Sequence, residues 1–304
     1  MLYVYGPVPS RRLGSSLGVN LTPFKTCSYS CVYCQLGRTT RKTVERKSFF
    51  PREEVLKEVE IALSQTKPDY VTFAGEGEPT LSLDLGWLVG KIRDLGSRVA
   101  VITNSSLLWR KDVREEVCLS DACLPSLDAV SEGIFRRINR PHRSLTAEKV
   151  VSGLLEFGDD YEGSLMLEVM LVKGYNDSRE ELERIAEVAS ELKPDKIHVL
   201  TPVRPPASDV EPAESSSIML ALECFENAGI KADSLYFPES GDFDYSAFSS
   251  LEEAVRIMSR HPMREDQAAE MARHFGKSLR ELEEIGGVEV KKFRGVRFYF
   301  YRPI

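Results

Sequence analysis

The chain has 304 residues, 42% of them apolar and 29% charged, with a formal net charge of −7 at pH 7. That length and balance fit a large α/β domain plus a small one, and no low-complexity tract or internal repeat interrupts it. The acidic balance argues against a protein coated in positive charge for wholesale nucleic-acid binding, and no apolar stretch approaches the ~20 residues that span a bilayer.

Met1–Ser10 has no basic segment followed by an apolar run, so no secretory signal is expected. Six cysteines, unevenly placed in a chain long enough to bury a core, read as free thiols in a cytoplasmic, reducing location. From there short apolar runs alternate with helical patterns. Candidate strands are Leu17–Leu21, Tyr70–Ala74, Val99–Thr103, Ala122–Leu127, Leu165–Leu171 and Lys196–Leu200. Between the first two, Pro51–Thr66 sets Val55, Val59, Ala62 and Leu63 on one helical face, with Pro51 at its start. Ser178–Leu192 opens with Ser178 and Glu181 at capping-box spacing. Six βα units predict an α/β fold, a partial (β/α)6 TIM-like barrel of parallel strands. Chemistry in such barrels sits at the C-terminal strand ends, and the unusual residues fall there in every unit.

Cys27, Cys31 and Cys34 follow the first strand as C-x3-C-x2-C. Three soft thiolates at that spacing suit an iron–sulfur cluster, one short of the four ligands of a closed zinc or cubane site. A zinc site completed from elsewhere and inert buried thiols are the alternatives. After the second strand, Gly75-Glu76-Gly77-Glu78-Pro79 lets backbone approach a ligand closely and supplies carboxylate acceptors. Asn104, Ser105 and Ser106, then Ser126 and Asp128, offer groups suited to a ribose or a carboxylate, although the same residue types cap helices. Glu168 lies among Leu167, Val169 and Met170, where a charge needs a partner; it faces the barrel interior or a wet edge. The basic run Arg136–Arg143, with Arg11, Arg12 and Arg204, would bind anions at a barrel mouth or else form a solvated face. Lys173 and His142 are candidate proton-transfer residues, and Cys118, Cys123 and Cys224 read as core.

The cysteine spacing, with Tyr33 just before the last ligand and the glycine-glutamate loop one βα unit later, resembles the radical S-adenosylmethionine (SAM) superfamily over about residues 10–237. Leu124–Ala129, Arg136–Arg143 and Glu168–Gly174 most resemble the branch containing the tRNA wyosine-base synthases. Those enzymes are expected to carry a second cluster on further N-terminal cysteines, and none precedes Cys27 here; the substrate therefore stays open. The resemblance implies a [4Fe–4S] cluster on Cys27, Cys31 and Cys34, and SAM bound at the free iron. Reductive cleavage to a 5′-deoxyadenosyl radical follows, with an electron donor such as a flavodoxin or ferredoxin. It also implies Tyr33 near the adenine, with Gly75, Glu76, Gly77, Glu78, Asn104, Ser105, Ser126, Asp128 and Glu168 as the SAM-binding set. The expected substrate is anionic, RNA first; a peptide-modifying enzyme, and a non-catalytic iron–sulfur DNA-binding sensor, are the alternatives.

Residues 238–250, rich in Ser, Asp, Gly and Phe, read as a linker between domains 1–237 and 251–304. Beyond it, helices Leu251–Arg260, Arg264–Phe275 and Ser278–Ile285 precede a hairpin, Val288–Lys292 and Val296–Tyr301, around Arg294-Gly295. That is the order of a winged helix-turn-helix. Its third helix carries Glu281, Glu283 and Glu284, which would meet phosphates unfavourably, so the wing with Lys291, Lys292, Arg294 and Arg297 is the better contact surface.

Overall fold

The computed structural model describes residues 3–236, 243–246 and 248–302. Its main sheet has eight strands: β1 (Val4–Ser10), β2 (Gly14–Val19), β3 (Tyr70–Phe73), β4 (Val99–Thr103), β5 (Ala122–Pro125), β6 (Ser164–Met170), β7 (Lys196–Leu200) and β8 (Ala232–Ser234). They lie side by side in chain order. β1 pairs antiparallel with β2, and every later neighbour is parallel. The six expected strands are thus the middle of an open, partial barrel. Both edge strands escape the sequence pattern. β1 contains Pro7 and Pro9, tolerable only on an edge because proline cannot donate to a ladder, and β8 has three residues.

Helices α1 (Arg52–Gln65), α2 (Leu85–Asp94), α3 (Lys111–Val117), α4 (Glu132–Ile138), α5 (Ala147–Asp160), α6 (Arg179–Leu192) and α7 (Ser215–Asn227) form the crossovers. The period of two along each strand splits its side chains between two environments. Leu17, Val71, Val101, Leu167 and Val199 turn outward into one large core with Val59, Ile92, Leu154, Ile185 and Phe225 from the helices. On the inner face, Tyr70, Ala100, Ala122 and Leu124 close one end of the barrel with Leu13. Above that plug the inner face turns small and polar, with Ser16, Thr72, Ala74, Ser126 and Glu168, and leaves a cavity.

Local chemistry fixes the crossovers. Ser178 caps α6 by accepting from Glu181 N. The expected reciprocal bond is replaced: the Glu181 carboxylate takes Val130 N at 2.7 Å and Ser131 N at 2.9 Å, tying α6 to the loop after β5.

The C-terminal module contains α8 (Leu251–Ala254), α9 (Ile257–Arg260), β9 (Met263–Arg264), α10 (Glu265–His274), α11 (Leu279–Glu283), β10 (Val288–Phe293) and β11 (Val296–Tyr301). The three strands order as β9-β11-β10. The expected first helix is broken into two single turns. The expected linker is corrected as well: residues 238–242 and 247 lie outside the described residues, but Phe243, Tyr245 and Phe248 are buried in the module's core. Tyr5 and Val8 of β1 join that same core, so the barrel edge and the module share one hydrophobic cluster. Among the described residues no helix is long and apolar enough to cross a membrane.

Candidate active site: a cysteine loop over the barrel mouth

The barrel cavity has a volume of about 390 Å³, and Cys27, Cys31, Cys34 and Tyr33 line it. All six cysteines are free thiols. The loop between β2 and α1 holds three of them over the C-terminal strand ends, and each sulfur has a side-chain N–H donor. Lys25 Nζ donates to Cys34 Sγ at 3.0 Å, Asn104 Nδ2 to Cys27 Sγ at 3.4 Å, and Asn139 Nδ2 to Cys31 Sγ at 3.7 Å. Among the described residues no group of His, Cys, Asp and Glu converges to hold a single metal ion. Three thiol sulfurs lining one cavity are a soft donor set of the kind an iron–sulfur cluster takes. Burial pushes the Cys27 thiol up to about 12 and raises Cys31 too. Such thiols stay protonated until a metal displaces the proton.

Two buried acids brace the loop. Glu78 is 2% exposed and accepts from Thr80 N and Oγ1, from Thr103 Oγ1 at 2.6 Å and from Asn104 N at 2.8 Å. Burial raises its pKa, against the opposing pull of those bonds. Through Asn104 it fixes the donor to Cys27. Asp128 accepts from the Tyr33 hydroxyl, from Asn139 Nδ2 at 2.6 Å and from Met170 N at 3.0 Å. Burial raises its pKa as well, and through Asn139 it fixes the donor to Cys31. Each acid acts as a strut behind one cysteine of the loop.

The expected site residues divide accordingly. Gly75, Gly77, Glu78, Asn104, Ser126 and Glu168 line the cavity with Tyr33. Five others are placed elsewhere. Ser105, fully buried, donates its hydroxyl to Ser126 O, and Asp128 lies behind Tyr33. Glu76 turns away to Asn20, Ser259 and Arg260. Lys173 is an exposed lysine paired with Glu211 and Glu214 at 3.3 and 2.8 Å, outside the cavity. His142 contacts Ser144 at 2.8 Å in the loop before α5, and it too is outside. The proton-transfer expectation for these two is therefore corrected: loop position put them near the barrel end, but their partners hold them on its outer surface.

Of the two readings of the basic run, the structure favours the surface one, since none of its arginines lines the cavity. Arg136 bonds Glu132 and Leu145 O, Arg137 bonds Gly174 O, and Arg140 bonds Ser208. Arg11, Arg12 and Arg204 do line the cavity, joined by Arg260 and His261 from the C-terminal module. Glu168 meets Arg12 at 2.8 Å, which answers its need for a partner. Sequence reasoning passed over Lys25, Asn139, Arg260 and His261. Lys25 had a local signal, a lysine two residues before the first ligand; the module residues had none, because only docking brings them in. Cys123 and Cys224 are buried as expected, and Cys118 is partly so.

A match to the Radical SAM superfamily spans residues 21–201, from the start of the cysteine loop to the end of β7. The chain belongs to that superfamily. It is 41% identical over 277 residues to UPF0026 protein MJ1312 of Methanocaldococcus jannaschii, covering 89% of this chain and 86% of that protein. A UPF0026 protein of Helicobacter pylori J99 is 30% identical over 97% of this chain and 96% of its own. Among solved structures, Streptococcus suis SuiB bound to S-adenosylmethionine superposes with a TM-score of 0.55 at 15% identity, over 74% of this chain and 50% of that one. The fold is thus shared with a protein solved with S-adenosylmethionine bound.

Proposed function

We propose that this chain is a radical SAM enzyme acting on an anionic substrate, with RNA the first class to test and peptides second. The observation that carries the charge assignment is the cavity wall, where four arginines (Arg11, Arg12, Arg204 and Arg260) stand against two carboxylates (Glu78 and Glu168). Glu78 is already committed to Thr80, Thr103 and Asn104, and Glu168 to Arg12. Arg12 is paired with Glu168 and Arg260 with Glu76, so the support is the number of guanidinium groups on the wall, a group suited to phosphate or carboxylate.

When bound, a [4Fe–4S] cluster and SAM supply the family's chemistry, reductive cleavage to methionine and a 5′-deoxyadenosyl radical that takes hydrogen from a substrate. Cys27, Cys31 and Cys34 would hold the cluster, and Lys25, Asn104 and Asn139 fix their sulfurs. Gly75 and Gly77 bring backbone to the cavity wall without side chains, while Met170 and Leu200 give it apolar surface away from water. Tyr33 is held by Asp128 with its ring lining the same wall.

The C-terminal module we read as a winged helix, from its order of helices, strand, two helices and hairpin. Glu283 of α11 bonds Arg297 Nη2 and the Tyr299 hydroxyl, both at 2.6 Å. Glu283 thus turns onto the module's own hairpin, while Glu281 and Glu284 pair along the helix with Lys277 and Arg280, which does not favour the DNA-binding sensor.

The test is anaerobic reconstitution, reduction with dithionite and addition of SAM. The expected outcome is 5′-deoxyadenosine and a cluster EPR spectrum that changes with SAM. Cys27→Ala, Cys31→Ala and Cys34→Ala should each abolish the cluster absorbance with the barrel still folded. A cluster indifferent to SAM would move the weight to the sensor, and no cluster would end the proposal.

A further inference from the structure

A second cavity, of about 290 Å³, lies between residues 201–204 of the barrel and the β10–β11 hairpin. Register decides what the hairpin presents. Phe293 sits opposite Val296, and Lys291 opposite Phe298, so these side chains share one face, and Phe293, Val296 and Phe298 line the cavity. Val296 is 42% exposed there, an apolar side chain with no packed cover. Tyr236 completes the aromatic surface, and Arg204, Arg264 and Arg294 surround it. Arg294 donates to the Tyr236 hydroxyl at 3.4 Å from a left-handed turn position, φ 49.

Two features identify the occupant. Among the described residues no Asp or Glu lines this groove, whereas three arginines do, of which Arg264 pairs with Asp266 at 3.1 Å and Arg204 donates to Pro262 O. Flat aromatic faces ringed by guanidinium groups match the bases and phosphates of a nucleic-acid strand, because bases stack on both groups and phosphates pair with the second. The groove also adjoins the cysteine cavity: Thr201, Pro202, Val203 and Arg204 line both. Its volume is near the lower end of the ~300–1,000 Å³ usual for small-molecule sites, room for about one nucleotide. The cysteine cavity, at about 390 Å³, must take SAM as well as the reacting group, so the rest of a polymeric substrate has to lie outside it.

We infer that this groove binds a single-stranded RNA segment next to the nucleotide that enters the cysteine cavity, with a base on Phe293 and Tyr236 and a phosphate on Arg294. The inference rests on the reading of the cavity as an anionic-substrate site, and adds the substrate class and its path.

A fluorescein-labelled, mixed-sequence single-stranded RNA 10-mer, titrated by fluorescence polarisation against the full reconstituted chain, tests it. The wild type should bind. Phe293→Ala should weaken binding roughly fivefold or more, since one base loses its stacking platform, without changing the salt dependence. Arg294→Asn keeps a residue that tolerates the left-handed turn; it should weaken binding and lower the slope of log K against log salt by about 0.7, one single-strand phosphate contact. Thermal melts of both variants check folding. Absence of binding, equal affinity in two folded variants, or stronger competition from a polyglutamate peptide than from unlabelled RNA would overturn the groove. Deoxyadenosine formation by the same wild-type preparation is scored separately: if it appears without RNA binding, the groove fails and the radical SAM reading stands. RNA binding with both variant effects but no deoxyadenosine leaves the groove standing and sinks the enzyme.

Discussion

Lys25 is the residue whose position demands most explanation. It is 3% exposed and in a left-handed conformation, φ 55, a place where a long cation is costly. Its backbone N–H is fixed by Glu76 O at 2.8 Å, which aims the ammonium at Cys34. A positive charge and an N–H···S bond both favour the more negative, reduced form of a cluster. Lys25→Met should therefore make the cluster harder to reduce. A negative shift of roughly 50 mV or more is expected, since a tenfold change in a one-electron equilibrium is ~59 mV. An EPR-monitored redox titration reads the shift directly, and an unchanged midpoint would mean that the ammonium leaves the sulfur once the cluster is in place.

At the scale of elements, the glycine-glutamate loop after β3 has a second task. Lys25 N bonds Glu76 O, and Glu78 N bonds Thr26 O at 3.2 Å, so this loop is stitched to the cysteine loop by backbone. Gly77 makes the contact feasible: a Cβ there would lie 1.8 Å from Thr26 O and 2.6 Å from Thr22 Oγ1. Gly77→Ala must push the two loops apart, at a cost of about 1–3 kcal/mol for an overpacked contact. Less than half the wild-type iron and sulfide per chain after reconstitution is expected, and full loading would show that the loops move independently. What was legible in the sequence follows the same line. The cysteine spacing, the six central strands and the polar strand ends are local patterns, and they could be read. Glu78 and Asp128 were readable as important but not as struts, because a carboxylate bound by Thr103 or Asn139 looks in sequence like one poised for a ligand. β1 was hidden by its prolines, and the basic run left two readings open because helix and loop geometry decides which arginines meet the cavity.

At the scale of the whole molecule, the C-terminal module is part of the cavity wall and not an appendage on a linker. Arg260 Nε meets Glu76 Oε1 at 3.4 Å, with side chains only 8% and 12% exposed, and Ser259 Oγ donates to the same oxygen at 3.2 Å. Arg204 donates to Pro262 O at 3.0 Å and to Gln35 Oε1 at 3.1 Å, joining barrel, cysteine loop and module. These contacts lie beside the shared core around Tyr5, Val8 and Met258, so removing residues 251–304 would strip the barrel edge as well as the cavity. A double-mutant cycle isolates the docking pair without that damage. Arg260→Gln removes the cation facing the buried Glu76 carboxylate and should cost about 3 kcal/mol, and Glu76→Gln removes the same pair from the other side. If the pair couples, the loss of the double variant in urea denaturation should fall short of the sum of the single losses by at least ~1.5 kcal/mol. Additive losses would mean that the pair does not couple the two parts, leaving the shared apolar core as the element that holds Arg260 and His261 over the cysteine cavity.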